Sequence, residues 1–147
     1  MQITTFSDYC LRILIFLAVS EGRQSTAREI SERYGISTHH VAKASQWLVR
    51  EGHVKATRGK GGGLTLARDP KDISIGEVIR NAETGTGLVE CMRGGLPGCA
   101  IAPACGLTAI LDEARTAFFA TLDGYSVADA TTKKSGIARL LQLTNMS

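Results

Sequence analysis

No apolar run in this sequence is long enough to cross a bilayer. The only candidate segment, Ile13 to Val19, falls far short of the roughly 20 residues that a spanning helix needs. It also makes a poor signal-peptide core, because Asp8 stands where a basic leader belongs. The segment reads instead as a buried first helix, so the chain is expected to be cytoplasmic, with no membrane partner. Internal repeats and low-complexity tracts are absent too, which sets aside solenoids and disordered linkers. Histidine is missing from the whole second half: His39, His40 and His53 all lie in the first. With only scattered carboxylates there, the second half lacks the acid–base groups of an enzyme site, and no catalytic residue is expected.

What is present is a soluble globular composition, 44% hydrophobic and 21% charged over 147 residues. The net charge of +3 is unevenly spread: Arg23 to Lys60 carries +5, and the remainder of the chain −2. A basic region joined to a slightly acidic one fits a nucleic-acid surface attached to a part with another task.

The local signals in the basic region are specific. A first helix is expected from about Ser7 to Ser20, with Tyr9, Ile13, Phe16 and Leu17 on one face. Thr26-Ala-Arg-Glu29 has the form of a capping box opening a second helix that ends at Tyr34-Gly35. Ser37 then caps a third, running to about Glu51 with Val41, Ala44 and Leu48 inward. Helix, short turn, helix is the helix-turn-helix arrangement. Its second helix offers Ser37, Thr38, His39, His40 and Lys43 in the turns that reach base edges and phosphates. Routine capping at Ser37 is as good a reading as phosphate contact, and one hydroxyl can do both. Two strand-like segments, Val54–Arg58 and Leu64–Leu66, flank Gly59-Lys-Gly-Gly-Gly63, a hairpin with a basic tip. Placed after a helix-turn-helix this is a wing, and Arg58 and Lys60 suit the negative potential of a minor groove. Ser74-Ile-Gly-Glu77 opens a further helix to about Glu83.

From Gly85 to Cys105 helical periodicity disappears, and three of the four cysteines fall there as C-x7-C-x5-C: Cys91, Cys99 and Cys105. A long irregular stretch inside a small domain signals function. Thiolates suit iron–sulfur clusters, zinc and cuprous copper. Zinc sites usually draw ligands from close pairs, and the wider spacing fits a larger group with a separate iron for each cysteine. Zinc, a thiol redox switch and unrelated buried cysteines remain competing readings. A fourth ligand could come from Cys10, though an apolar setting makes it more often a core residue, or from Asp8, Glu90 or Asp112. Beyond the cysteines, Leu107, Ile110, Leu111, Ala114, Phe118 and Leu122 form one apolar stripe, for which a second copy of the same helix is the natural mate. Trp47, Phe118 and Phe119 read as packing residues, and the weakly helical tail from Gly124 has no assigned role.

Phe6-Ser-Asp-Tyr9, Tyr34-Gly-Ile-Ser37, Arg58-Gly-Lys-Gly-Gly-Gly63, Ile75-Gly-Glu-Val78 and Cys99-Ala-Ile-Ala-Pro-Ala-Cys105 together resemble the iron–sulfur winged-helix repressors, a family with NsrR and IscR branches. The likeness extends to about Asp123 and is strongest to the nitric-oxide-sensing NsrR branch. It implies a mainly α fold: a winged helix-turn-helix domain at 1–84, a cluster-binding loop at 85–106, and a dimerisation helix with tail at 107–147. It further implies a homodimer on palindromic double-stranded operator DNA, repressing until nitric oxide attacks the irons. Cys91, Cys99 and Cys105 would hold the cluster, a [4Fe–4S] in the first instance and a [2Fe–2S] as the alternative. Asp8 would supply the fourth ligand to the other subunit. Thr108 stands where the IscR branch has a histidine, which argues against an IscR-type two-iron site. Ala42 stands where IscR has an acidic residue, so operator preference need not be shared. A thiol-redox or iron-responsive regulator without nitric-oxide specificity is the alternative within this class, and a metal-dependent enzyme the alternative outside it.

Overall fold

A computed structural model describes residues 2–85, 87–93 and 99–143. Its axis is helix α1 (Thr5–Val19), which buries Cys10, Ile13, Leu14, Phe16 and Leu17. The helix starts two residues before the expected Ser7. Thr4, in extended backbone, takes the N-cap, and its hydroxyl accepts from the Ser7 N–H. Such a cap contributes about 1 kcal/mol. At the other end Ser20 is the C-cap, not part of the helix.

Helices α2 (Ala27–Tyr34) and α3 (Thr38–Arg50) follow. Thr26 caps α2 through the Glu29 N–H as expected, but the return arm of the box goes elsewhere. The Glu29 carboxylate takes both terminal nitrogens of Arg23, at 2.7 and 3.2 Å. A charged, forked donor outbids a lone backbone N–H for the same oxygens. The same division occurs before α4 (Ile75–Ala82): Ser74 caps through the Glu77 N–H, while the Glu77 carboxylate faces Arg68 at 3.8 Å. A fully reciprocal box is formed at Ser126 and Asp129, where none was expected.

The wing is the antiparallel hairpin β1 (Val54–Thr57) and β2 (Gly63–Leu66), paired from Val54↔Leu66 to Thr57↔Gly63. Its tip needs positive φ at Gly59 and Gly61 (94° and 80°), which glycine adopts without steric cost. Ser25, just before α2, exchanges both backbone hydrogen bonds with Leu64, at 3.1 and 2.8 Å, and so ties the wing base to the helix-turn-helix.

Helix α5 (Leu107–Asp123) packs on α4 and has no buried residue; Leu107 and Ile110 are 49% and 63% exposed. The tail does have a structural role. After α5 the chain returns through α6 (Val127–Ala130) and α7 (Lys134–Leu140) to pack on α1. Val127, Thr131 and Leu141 are buried there, with the Thr131 hydroxyl donating to the Val127 carbonyl at 2.8 Å. The core thus combines Ile13, Phe16, Ile30, Val41, Leu48, Ile73 and Val78, all before the cysteine segment, with Val127 and Leu141 from the last turns. The aromatics are packing residues as expected: Phe6 meets Trp47 edge-on at 5.6 Å, and Phe118 meets Phe119 at 5.4 Å. Among the described residues no helix is long and apolar enough to cross a membrane.

Candidate nucleic-acid interface and cysteine segment

The turn between α2 and α3 is locked from within. Gly35 takes the left-handed conformation at φ 64°, and the Ile36 N–H reaches back to the Ser31 carbonyl. The nearly buried Ser31 hydroxyl spends its single proton on the Ile36 carbonyl at 2.6 Å. The 2.8 Å contact between Ser31 Oγ and Thr38 Oγ1 therefore has Thr38 as donor. Thr38 fixes the angle of α3 with the same hydroxyl that the sequence reading offers to DNA.

Ser37 occupies the N-cap of α3, yet its side chain makes no capping bond, and the residue is exposed. Of its two readings, the routine side-chain cap is not the one realised here. His39, His40 and Lys43 are exposed on the same helix. The His40 ring lies 5.9 Å from Tyr9 and 5.8 Å from His39, a short aromatic ladder from α1 to the outer face of α3. Arg58 and Lys60 are exposed at the wing tip.

Between α3 and the wing runs a shallow groove of about 430 Å³, lined by Ala42, Gln46, Val49, Ala56 and Thr57, with Thr26 at the start of α2. Gln46 is exposed one turn beyond Ala42 on this wall, and a carboxamide is a two-sided partner for an adenine edge. Sequence reasoning stopped at Lys43. The four-residue spacing from Ala42 would have found Gln46.

The cysteines divide into two kinds. Cys10 is fully buried on α1, and burial pushes its thiol up to about 12, so it is a core residue and chemically quiet. Cys91, Cys99 and Cys105 are free and half-buried on irregular chain. Cys91 lies in a 3₁₀ turn (Glu90–Met92), and Cys105 closes another (Ala102–Ala104), so the stretch is less featureless than expected. Gly94, Gly95, Pro97 and Gly98, which stand between Cys91 and Cys99, lie outside the described residues. Among those described, no three His, Cys, Asp or Glu side chains gather as a metal-ligating group, so the three thiols stand apart.

Of the candidate carboxylates, Asp112 pairs with Arg115 at 2.9 Å, and Glu90 is exposed. Asp8 accepts from Arg12 Nε at 2.9 Å, one turn along α1. The Arg12 guanidinium stands 5.8 Å from the Tyr34 ring centroid, and the Tyr34 hydroxyl donates to the Arg12 carbonyl at 3.0 Å. Burial pushes the Tyr34 phenol up to about 12, so it stays protonated and able to donate. A larger cavity, about 790 Å³, separates the start of α1 from the Cys91 segment and α5; Thr4, Glu83, Leu88, Met92, Arg93 and Phe118 are among its walls.

Known proteins match this arrangement over nearly the whole chain. The Rrf2 family, described as an iron-dependent transcriptional regulator, matches residues 3–133. The HTH-type transcriptional regulator NsrR of Bacillus subtilis is 42% identical over 144 residues, which are 97% of this chain and 99% of that protein. NsrR of Geobacillus kaustophilus is 36% identical over 143 residues, 97% of each chain. Among solved structures, CymR, the global cysteine regulator of B. subtilis, superposes with a TM-score of 0.65 at 26% identity, covering 90% of this chain and 98% of its own. IscR of T. potens shares the fold, with a TM-score of 0.68 at 24% identity over 90% of this chain and 88% of its own. The family and the NsrR relatives are named for regulating transcription, which sets aside the enzyme alternative and makes DNA the partner. The chain belongs to the Rrf2 family of iron-dependent transcriptional regulators.

Proposed function

We propose that this regulator is a homodimeric repressor of palindromic operators that carries an iron–sulfur cluster and releases DNA on exposure to nitric oxide. The single observation that carries the reading is the contrast among its cysteines: three free, half-buried thiols on one irregular segment, against one sealed in the core. The donor chemistry fits the group, since thiolates are the preferred cluster ligands. Cys91, Cys99 and Cys105 would hold it, most simply as a [4Fe–4S] with Asp8 of the partner subunit as the fourth ligand; a [2Fe–2S] is the alternative. When bound, the cluster supplies irons that react with nitric oxide.

The remaining work falls to the chain's own residues. Asp8 must turn from Arg12 toward the other subunit, and a carboxylate is the weak member of a mostly thiolate set. Its bond would tie α1 of one subunit to the cysteine segment of the other and so set the spacing of the two heads. Ser37, Thr38, His39, His40 and Lys43 would meet the major groove, and Arg58 and Lys60 the minor groove. The uncovered stripe of α5 supplies a dimer contact through Leu107 and Ile110. A cytoplasmic location accords with this chemistry, because a reducing compartment keeps the thiols free.

Anaerobic purification with iron and sulfide analysis, a visible spectrum and sedimentation tests the reading. The expected result is a brown dimer that loses operator affinity on titration with nitric oxide. A colourless protein that still binds operator and responds to peroxide would establish the thiol-switch alternative. A brown protein that responds to iron supply but not to nitric oxide would establish the iron-responsive one.

A further inference from the structure

A residue just before the cysteine segment reaches across the molecule to the first turn of α1. Glu83 is the C-cap of α4. One of its carboxylate oxygens, Oε1, lies 2.7 Å from Thr4 N, 2.8 Å from Thr4 Oγ1 and 2.5 Å from Ser7 Oγ. The protons can be assigned. Thr4 gives its N–H and its hydroxyl proton to Glu83, and Ser7 gives its hydroxyl proton. The 3.1 Å contact between the two hydroxyl oxygens then carries no hydrogen. Ser7 is fully buried, so its hydroxyl cannot turn to solvent for another acceptor.

This carboxylate does more than decorate a helix end. The N–H groups of a first helical turn have no partner inside the helix, and negative charge there is favourable. In α1 the charge comes from 76 and 79 residues away in sequence. Thr4 is the hub. Its hydroxyl accepts from the Ser7 N–H, and its carbonyl accepts from the Asp8 N–H at 3.1 Å, the first hydrogen bond of the helix. Glu83 holds Thr4, and Thr4 holds the backbone of Asp8. The same residue lies two positions before Gly85, where the chain takes φ 81° into the cysteine segment.

We propose that Glu83 is the positioning residue for Asp8: it fixes the first turn of α1 so that the Asp8 carboxylate is offered in one direction. It thereby joins the cysteine segment of a subunit to that subunit's own ligand-bearing helix. The inference rests on the reading of Asp8 as a ligand to the cluster of the other subunit. Glu83 itself binds no metal in this scheme and acts on Asp8 through Thr4 and Ser7. Loss of the tie should alter cluster spectroscopy and operator affinity by way of Asp8, with a coupling in the usual range of about fivefold or more.

The test uses the full chain, purified anaerobically with its cluster, as Glu83→Ala, Glu83→Gln, Asp8→Ala and the Asp8→Ala/Glu83→Ala double variant. Visible circular dichroism, operator affinity and thermal melting are measured on each. Glu83→Ala should reproduce the altered spectrum and weakened binding of Asp8→Ala. The double variant should show no further spectral change, because both substitutions remove the same bond. Glu83→Gln, which keeps an acceptor oxygen for Thr4, should lie nearer the unsubstituted protein. If Glu83→Ala does not fold, Glu83→Asp replaces it, since its shorter arm keeps the charge but cannot reach all three donors. A purely structural Glu83 would lower the melting temperature and leave the spectrum unchanged. An altered Asp8→Ala beside an unaltered Glu83→Ala, or spectral changes that add in the double variant, overturns this inference alone. An unaltered Asp8→Ala overturns the ligand reading and this inference together.

Discussion

Arg12 donates through Nε to the carboxylate of Asp8 at 2.9 Å, both side chains standing about 40% exposed on one turn of α1 (42% and 40%). A surface pair at this spacing is worth about 0.3–0.5 kcal/mol, so Asp8 can exchange Arg12 for another partner at small cost. On the proposed mechanism Arg12 competes with iron for the same oxygens. Arg12→Gln should therefore leave folding stability within about 0.5 kcal/mol of the unsubstituted protein and slow the loss of cluster to a chelator under anaerobic conditions. Faster cluster loss would mean that Arg12 supports the bound state rather than opposing it.

The contrast between the cysteines gives a second expectation. Cys99→Ala or Cys105→Ala should yield a folded dimer without iron or sulfide, because neither thiol contributes to the buried core. Cys10→Ser should do the reverse. It places a hydroxyl at a fully buried site, at a cost of about 1–3 kcal/mol in urea unfolding, with cluster content unchanged. Full iron and sulfide in either loop variant would remove that cysteine from the ligand set.

Why the head was legible and the tail was not follows from where the determining interactions lie. Thr26, Gly35, Ser74 and the wing-tip glycines act on backbone within a few residues of themselves, so their signals survive in sequence alone. Val127, Thr131 and Leu141 are buried only because α1 is there to receive them, and a four-residue helix such as α6 has no periodicity to read. Glu29 and Glu77 show the same limit within the head. Their spacing predicts a reciprocal cap, but arginines brought near by the fold take the carboxylates. At the site, residue types singled out the three cysteines, and only the family resemblance picked Asp8 from several candidate ligands, while Glu83 carries no local mark. It became visible only when the fold set α4 beside the start of α1.

The wing makes a separate prediction about DNA. Arg58 is exposed at the tip, so Arg58→Ala should leave stability and cluster content unchanged while weakening operator binding. Binding that releases condensed counterions falls steeply with salt, and loss of one phosphate contact flattens the log–log slope by roughly one unit. If Arg58 reads the minor groove as well, the loss should be greater on the specific operator than on random duplex. Equal affinity of the variant and the unsubstituted protein for operator would show that the wing does not dock.

The base of the wing carries the last prediction, in pH. His53 is 1% exposed between α3 and β1, and its Nδ1 lies 2.6 Å from Arg68 Nη2. Arg68 can only donate, so Nδ1 accepts, and the ring is the tautomer with its proton on Nε2. That nitrogen is buried without a partner among the described residues. Protonating the ring would put a proton on Nδ1 facing a guanidinium. Burial is the main cause that lowers the His53 pKa below 6.5, Arg68 adds to it, and Glu77 and Glu51 oppose it in part. A base whose folded pKa is depressed binds fewer protons folded than unfolded over the window between the two values, so stability rises with pH there. The contribution is complete above about 6.5, the unfolded value, declines as pH falls through the window, and is gone below the folded pKa. Urea unfolding from pH 7.5 down to pH 5 should accordingly show a falling midpoint, while His53→Gln, which keeps an acceptor for Arg68 but cannot titrate, should flatten that dependence. The protection factor against hydrogen exchange at the Ala67 N–H, which donates to the His53 carbonyl at 2.9 Å, should fall over the same range in the unsubstituted protein only. A parallel fall of both proteins with pH would assign the acid sensitivity to other groups and leave His53 a packing residue.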